Sequence, residues 1–245
     1  MSDLSGKTTI VVGASRGLGH GIATAFAEAG SRVVAVSRTA APIADPAGST
    51  VPELADAGDP TVAGSLLDRY RPEVVVLAAG ASPHMRPLQH QTWETFSVNW
   101  QTDVRIAFHW LREALLTPLR PGSRVIVVSS GAAMAGSPLS GGYAGAKATQ
   151  RFITGYAQDE AKRAGLDITF SAVLPRITPV TELGRSAARA YAARDGRSEE
   201  EYLKQMGPLL TPEIAGSAMV ELVRTEATAV APGYLLTGAG LKKLP

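Results

Sequence analysis

Residues 8–36 constrain the fold more than any other stretch of the chain. Thr8-Thr-Ile-Val-Val12 is a short, β-branched apolar run, suited to a strand buried on both faces. Gly13-Ala-Ser-Arg-Gly-Leu-Gly19 follows without a spacer. A helical stripe then passes through Leu18, Ile22, Ala25, Phe26 and Ala29, with Gly30 as its C-terminal stop. Arg32-Val-Val-Ala-Val36 reads as a second strand. Strand, glycine turn, helix and strand make a βαβ unit, which needs a parallel sheet. Glycines at the first turn let the backbone approach a phosphate, and the helix N-terminus presents free amides to it. The candidate contacts are Gly13, Ser15, Arg16, Gly17, Leu18 and Gly19. A tight turn with no ligand is the bland alternative, and the flanking elements argue against it.

The end of the second strand reads Ser37-Arg38. A carboxylate there would accept from ribose hydroxyls, whereas an arginine accommodates a 2′-phosphate through its planar fork. With Arg38 in place and Arg16 as a second cation, the sequence favours NADP(H). A solvated strand-end arginine is the competing reading of Arg38.

The remaining pattern extends the sheet. Residues 39–50 have loop composition, and Val51–Asp56 reads as a short third strand. A helix is expected over Thr61–Tyr70, carrying Val62, Leu66 and Leu67, and a central strand over Val74–Ala81. Trp93–Leu116 has helical spacing through Phe96, Trp100, Val104, Ala107, Phe108, Leu111 and Leu115. Arg124–Val128 is a buried strand, and a helix runs from Tyr143 to about Ala164 with Ala146, Phe152, Ile153, Tyr156 and Ala157 as its core. Asp167–Leu174 is another strand. Residues 184–210 read as one or two short helices, with Met206, Leu209 and Leu210 either lining a pocket or packing against the body. Thr211 and Pro212 start a helix that ends near Thr225, and Gly233–Thr237 is a last strand before Gly238-Ala-Gly240.

The chemistry sits between Ser130 and Lys147. Tyr143 and Lys147 are four residues apart, on one face of any helix starting there. A phenol has an ordinary pKa of about 10, and an ammonium one turn away stabilises the phenolate. Ser130 brings a hydroxyl to the end of the preceding strand, where it can hold a carbonyl oxygen while a proton moves.

This constellation, together with the Gly-x-x-x-Gly-x-Gly spacing, resembles the short-chain dehydrogenase/reductase family over nearly the whole chain. The resemblance implies a Rossmann-type α/β fold: a doubly wound, mostly parallel β-sheet with helices on both faces, formed by residues 1–245 as one domain. It implies reversible hydride transfer between NADP(H) and a ketone or aldehyde, with Tyr143 as general acid/base, Lys147 lowering its pKa and holding ribose, and Ser130 bonding the carbonyl oxygen. Asn99 matches the family asparagine that holds a water in the proton relay. Asp56 best matches the adenine contact, although Asp59 lies three residues away. Ala78-Ala79-Gly80 stands where the family usually has Asn-Ala-Gly, so Ala79 and Gly80 still approach the cofactor but the bracing amide is missing. After Pro175, Arg176 replaces the usual glycine, and both Thr178 and Thr181 are candidates for the nicotinamide carboxamide. Residues 184–210 would be the substrate lid, and homodimers or homotetramers are common in the family. Two rival readings are an enoyl reductase of the superfamily, disfavoured by the four-residue Tyr–Lys spacing, and a non-catalytic NADP(H) sensor.

Composition narrows the partners. Lys+Arg at 24 against Asp+Glu at 22 gives +2 with no basic block, which argues against nucleic acid. The absence of cysteine excludes disulfides, thiolate catalysis and cysteine-held metals, and four dispersed histidines show no ligand spacing. His84 and His90 are candidates for the mouth of the site. No apolar run approaches a membrane span, and the first residues lack a signal peptide's apolar core, so a cytoplasmic protein without membrane partners is expected.

Overall fold

In the computed structural model, which describes residues 4–40, 42, 43, 45 and 48–244, the leading unit forms β1 (Thr8–Val12), α1 (Gly17–Glu28) and β2 (Arg32–Ser37). Residues 41, 44, 46 and 47 of the expected 39–50 loop, residues 1–3 of the expected leader-free start, and Pro245 lie outside the described residues. The chain continues through β3 (Val51–Leu54), α2 (Pro60–Tyr70) and β4 (Val74–Leu77). Next come α3 (Trp93–Asn99), a π-helical turn (Trp100–Val104), α4 (Arg105–Leu116) and β5 (Ser123–Val128). Then follow α5 (Ala132–Ala135), α6 (Tyr143–Arg163), β6 (Ile168–Pro175), α7 (Glu182–Arg194) and α8 (Glu199–Gln205). The last elements are α9 (Pro212–Arg224), β7 (Gly233–Thr237) and β8 (Gly240–Lys243).

The strands form one eight-stranded sheet in the order β3-β2-β1-β4-β5-β6-β7-β8. Every pair is parallel except β7–β8. Successive side chains of a strand point to opposite faces, which explains the unbroken apolar run of β1. Val11 joins Phe26, Met219 and Leu236 under α1 and α9, while Ile10 and Val12 join Leu66, Trp110 and Phe170 under α2, α4 and α6. The α1 and α9 backbones touch closely: a Cβ on Gly216 would lie 2.5 Å from the Gly21 carbonyl oxygen.

Several sequence expectations need correction. Trp93–Leu116 is not one regular helix, because the π turn inserts an extra residue and rotates the pattern. Trp100 and Phe108 therefore stand exposed, and Ile106, Trp110 and Ala114 are buried in α4. On α6, Phe152 and Tyr156 point outward, while Lys147, Gln150 and Thr154 are buried. Leu210 packs in the core beside α9 rather than lining a pocket. The segment after Gly238 does not merely close the fold but adds the antiparallel edge strand β8.

Candidate active site

The sheet's strand order reverses between β1 and β4, and open α/β sheets bind ligands outside the carboxyl ends at such a point. Here the ends of β1, β4, β5 and β6 open into a cavity of about 1150 Å³. The cavity takes in every cofactor and catalytic residue expected from the sequence except Asn99.

The glycine turn is built for close approach. Gly13 has φ +90°, and a Cβ there would lie 2.6 Å from the Ala79 backbone nitrogen. Gly19 faces the Gly13 carbonyl so closely that a Cβ would sit 2.1 Å from its oxygen. Arg16 occupies the N-cap of α1 without a side-chain cap, which leaves the first amides of the helix to a ligand. Ser15, Arg16, Gly17 and Leu18 all border the cavity at this end. A shallow, glycine-walled cradle over uncapped amides fits a dinucleotide diphosphate.

The two cations differ. Arg16 Nη1 lies 2.9 Å from Glu182 Oε2 at the start of α7. Arg38 is exposed on the cavity rim and has no ion-pair partner among the described residues. Ser37 beside it donates its hydroxyl to the Thr39 carbonyl at 2.7 Å. The two acids are also sorted. Asp59 caps α2 by accepting from the Thr61 amide, whereas Asp56 accepts from the Gly58 amide at 2.9 Å and borders the cavity.

Ser130 follows β5, and its oxygen accepts from the Ala132 amide at 3.2 Å. That bond fixes the oxygen and leaves the hydroxyl proton free to donate. Tyr143 is the first residue of α6 and borders the cavity. The Lys147 ammonium lies 5.6 Å from the Tyr143 ring centre. It also donates to Gln150 Oε1 at 2.9 Å and to the Val128 carbonyl at 3.3 Å. Pro175 ends β6 at the same rim. Thr178 is buried with its hydroxyl on the Arg176 carbonyl, and Thr181 caps α7 by accepting from the Gly184 amide at 3.1 Å. Thr181 also stands against the glycine turn, 3.6 Å from where a Cβ on Gly17 would be.

Sequence reasoning missed Asp103. It is fully buried on the π turn, with Oδ2 3.1 Å from Lys147 Nζ. Burial works to discharge Lys147, but Asp103 and then Tyr143 outweigh it and hold the ammonium above its ordinary pKa. Asn99 lies outside the cavity wall: its Nδ2 donates to the Ala81 carbonyl at 2.8 Å and to Asp103 Oδ1 at 3.3 Å. The signal was present, since Asn99, Asp103, Ala107 and Leu111 repeat every four residues along a buried stripe, and a charge on such a stripe needs a partner. Also unforeseen is a pair of stacked rings, Tyr191 and Tyr202, whose centres are 6.5 Å apart above the cavity. Tyr191 is hydrogen-bonded to the Ser137 hydroxyl at 2.5 Å. His84 and His90 do not reach the cavity wall.

A family model described as short chain dehydrogenase matches residues 7–192. The chain belongs to this family. It is 31% identical over 189 residues to the hydroxynaphthalene reductase-like protein Arp2 of Metarhizium majus, covering 70% of this chain and 68% of that one. It is 30% identical over 226 residues to versicolorin reductase stcU of Emericella nidulans, covering 85% and 83%. Among solved structures, a short chain dehydrogenase from Mycobacterium avium superposes with a TM-score of 0.78 at 22% identity, over all of this chain and 86% of the other. One from Burkholderia cenocepacia J2315 in complex with NADP superposes with a TM-score of 0.65 at 23% identity, over 81% and 88%. As a short-chain dehydrogenase, the protein is an oxidoreductase of a family that uses NAD(P). Among the described residues no helix is long and apolar enough to cross a membrane, and no cluster of ligating side chains could hold a metal ion.

Proposed function

We propose that this protein is an NADP(H)-dependent reductase of ketones or aldehydes, working reversibly, with Tyr143 as its general acid/base. The observation that carries the proposal is the buried Lys147 ammonium beside Tyr143, at the rim of one cavity that also contains Ser130 and the glycine cradle. When bound, the dinucleotide supplies the hydride taken up by the carbonyl carbon. Ser130 donates to the carbonyl oxygen and orients it. Tyr143 delivers its phenolic proton to that oxygen, and the neighbouring ammonium stabilises the phenolate left behind. In the alcohol-oxidising direction the phenolate takes the proton back.

The cradle of Gly13, Gly17 and Gly19 would hold the diphosphate, and Arg38 the 2′-phosphate, with Asp56 at the adenine end. Arg38 suits this task better than Arg16, which already has a carboxylate partner. Thr181 stands beside Gly17, so Thr178 is assigned to the nicotinamide end with Pro175, Ala79 and Gly80. Asn99 would serve the proton path from beneath Lys147. Residues 1–245 would work as one unit with 184–210 as the lid. Its stacked Tyr191 and Tyr202 border the cavity and would meet a flat substrate, in keeping with the hydroxynaphthalene in one relative's name. Exposed Trp100 and Phe108 near the start of α4, with Phe152 and Tyr156 on α6, would be covered by a second copy in a homodimer or homotetramer. The protein would act in the cytoplasm.

The test is Tyr143→Phe assayed with NADPH on a panel of aryl and alkyl ketones and aldehydes. Turnover should vanish while NADPH still binds. Near-normal turnover would sink the assignment, and binding without turnover in the wild type on every substrate would favour a sensor.

A further inference from the structure

Asp103 is an unusual residue for its place. It is completely buried, on the one turn of the α3–α4 region that departs from α-helical geometry. Its carboxylate is held from three sides: Oδ1 accepts from the Ala81 amide at 2.8 Å and from Asn99 Nδ2 at 3.3 Å, and Oδ2 faces Lys147 Nζ at 3.1 Å. Its backbone carbonyl accepts from Gln150 Nε2 at 2.9 Å, and Gln150 in turn accepts from Lys147. The carboxylate also fills the space beside Gly80, where a Cβ would lie 2.7 Å from Oδ2. The end of β4, which lacks an asparagine at Ala78, is thereby tied to α6 through an acid from the π turn.

We propose that Asp103 is a positioning residue of the reductase, the counter-charge that keeps Lys147 an ammonium and fixes where that ammonium points. The proposal rests on the role given to Lys147 above. Among the described residues, the ionisable groups facing Lys147 are Asp103 from the π turn and Tyr143 from α6 itself. β5 contributes the Val128 carbonyl, and Gln150 is neutral. Burial would otherwise strip the proton from this lysine, since a charge in a low-dielectric site is costly. With its carboxylate partner in place the ammonium persists across the whole neutral range. Asp103 borders the same cavity but is fully buried with Oδ2 on Lys147 Nζ, so its removal acts through the charge state of that lysine. The loss should therefore depend on pH, whereas a merely structural defect lowers activity equally at every pH.

The experiment has two parts. Lysine side-chain NMR on the cofactor-free wild type, with Lys147→Met to assign the signal, should show Lys147 titrating above the ordinary lysine value of about 10.4. A value at or below it overturns the proposal without any Asp103 variant. In Asp103→Asn the Lys147 titration should fall by about three pH units, which leaves roughly nine-tenths of the lysine neutral at pH 8.5. Its kcat in the reductive direction should drop about tenfold at pH 8.5, recover toward pH 6, and return in Asp103→Glu, with the KM for carbonyl substrate little changed. An equal loss at pH 6 and pH 8.5, or an unmoved Lys147 titration, refutes it. Full turnover in Tyr143→Phe would refute the catalytic chemistry instead, while the lysine titration, read without substrate or cofactor, would still decide the pairing.

Discussion

Alanine at two glycines of the first turn separates backbone conformation from close approach. Gly17 has φ +56° but room around it, since an added Cβ would meet only Thr181 Cγ2 at 3.6 Å. Gly17→Ala should therefore cost only the left-handed penalty of about 1–2 kcal/mol. Gly19 has no positive φ, yet its Cβ would lie 2.1 Å from the Gly13 carbonyl oxygen and 2.9 Å from the carbonyl carbon. Backbone cannot swing aside as a side-chain tip can, so Gly19→Ala must open the turn, at about 3 kcal/mol or more. For a chain of this size one kcal/mol moves Tm by roughly 2–4 °C. Thermal melts should then show Gly17→Ala about 2–8 °C and Gly19→Ala at least about 6 °C below wild type. The second reading is binding. Gly13 is pressed against Ala79, so a turn opened at Gly19 also breaks the cradle, and the stabilisation given by saturating NADPH should disappear in Gly19→Ala. A Gly19→Ala protein that melts within 2 °C of wild type and still gains stability from NADPH would refute the close-approach argument.

Arg38→Ala should weaken NADPH binding by about 10- to 100-fold, the worth of charge-assisted hydrogen bonds, and leave NADH binding unchanged; fluorescence titration with both reads it. Equal losses for both cofactors would leave Arg38 as a surface residue. Ser130→Ala removes a donor to the carbonyl oxygen and should lower kcat about 10²-fold with cofactor affinity intact, by steady-state kinetics. Phe152→Arg, on the exposed face of α6, should shift a homo-oligomer to smaller species by light scattering and leave the melting temperature of the subunit core unchanged.

The framework of the fold was legible because β1, β2, β4 and β5 are buried on both faces where Ile10–Val12, Val33–Val36, Val74–Leu77 and Val125–Val128 form unbroken apolar runs. Helix caps were equally plain: Thr211 accepts from the Ile214 amide as expected of an N-cap before proline. The orientation of α4 and α6 was not legible. Both helices carry apolar residues on two sides, and periodicity cannot say which side meets the sheet. The π turn added a further rotation that no residue type announces, which is why the helical spacing through Trp100 and Phe108 does not mark a buried stripe. β8 was missed because Gly240-Leu-Lys-Lys is short and half polar, as edge strands are. In the site, the sequence brought out residues whose chemistry is visible singly: glycines, a tyrosine–lysine pair, a strand-end serine and an arginine. It did not bring out Asp103, whose meaning lies in a partner forty-four positions away.

The Asp103–Lys147 pair also sets how the fold should respond to alkali. Lys147 has a folded pKa raised above the ordinary value, because the Asp103 and Tyr143 charges outweigh its desolvation. A raised pKa means that the folded state holds this proton more tightly than the unfolded chain does. The stabilisation is therefore fully present below about pH 10.4, where the unfolded lysine is also charged, and is lost as pH rises through the folded value. Lys147→Met lacks that dependence and leaves the Asp103 carboxylate buried without its counter-charge, a defect of about 3–5 kcal/mol for a broken buried pair. Urea unfolding should accordingly find the variant well below wild type at pH 8, with the gap narrowing as pH climbs past 10.5. A gap that stayed constant from pH 8 to pH 12 would mean that Lys147 is held by packing alone, and that Asp103 is not its electrostatic partner.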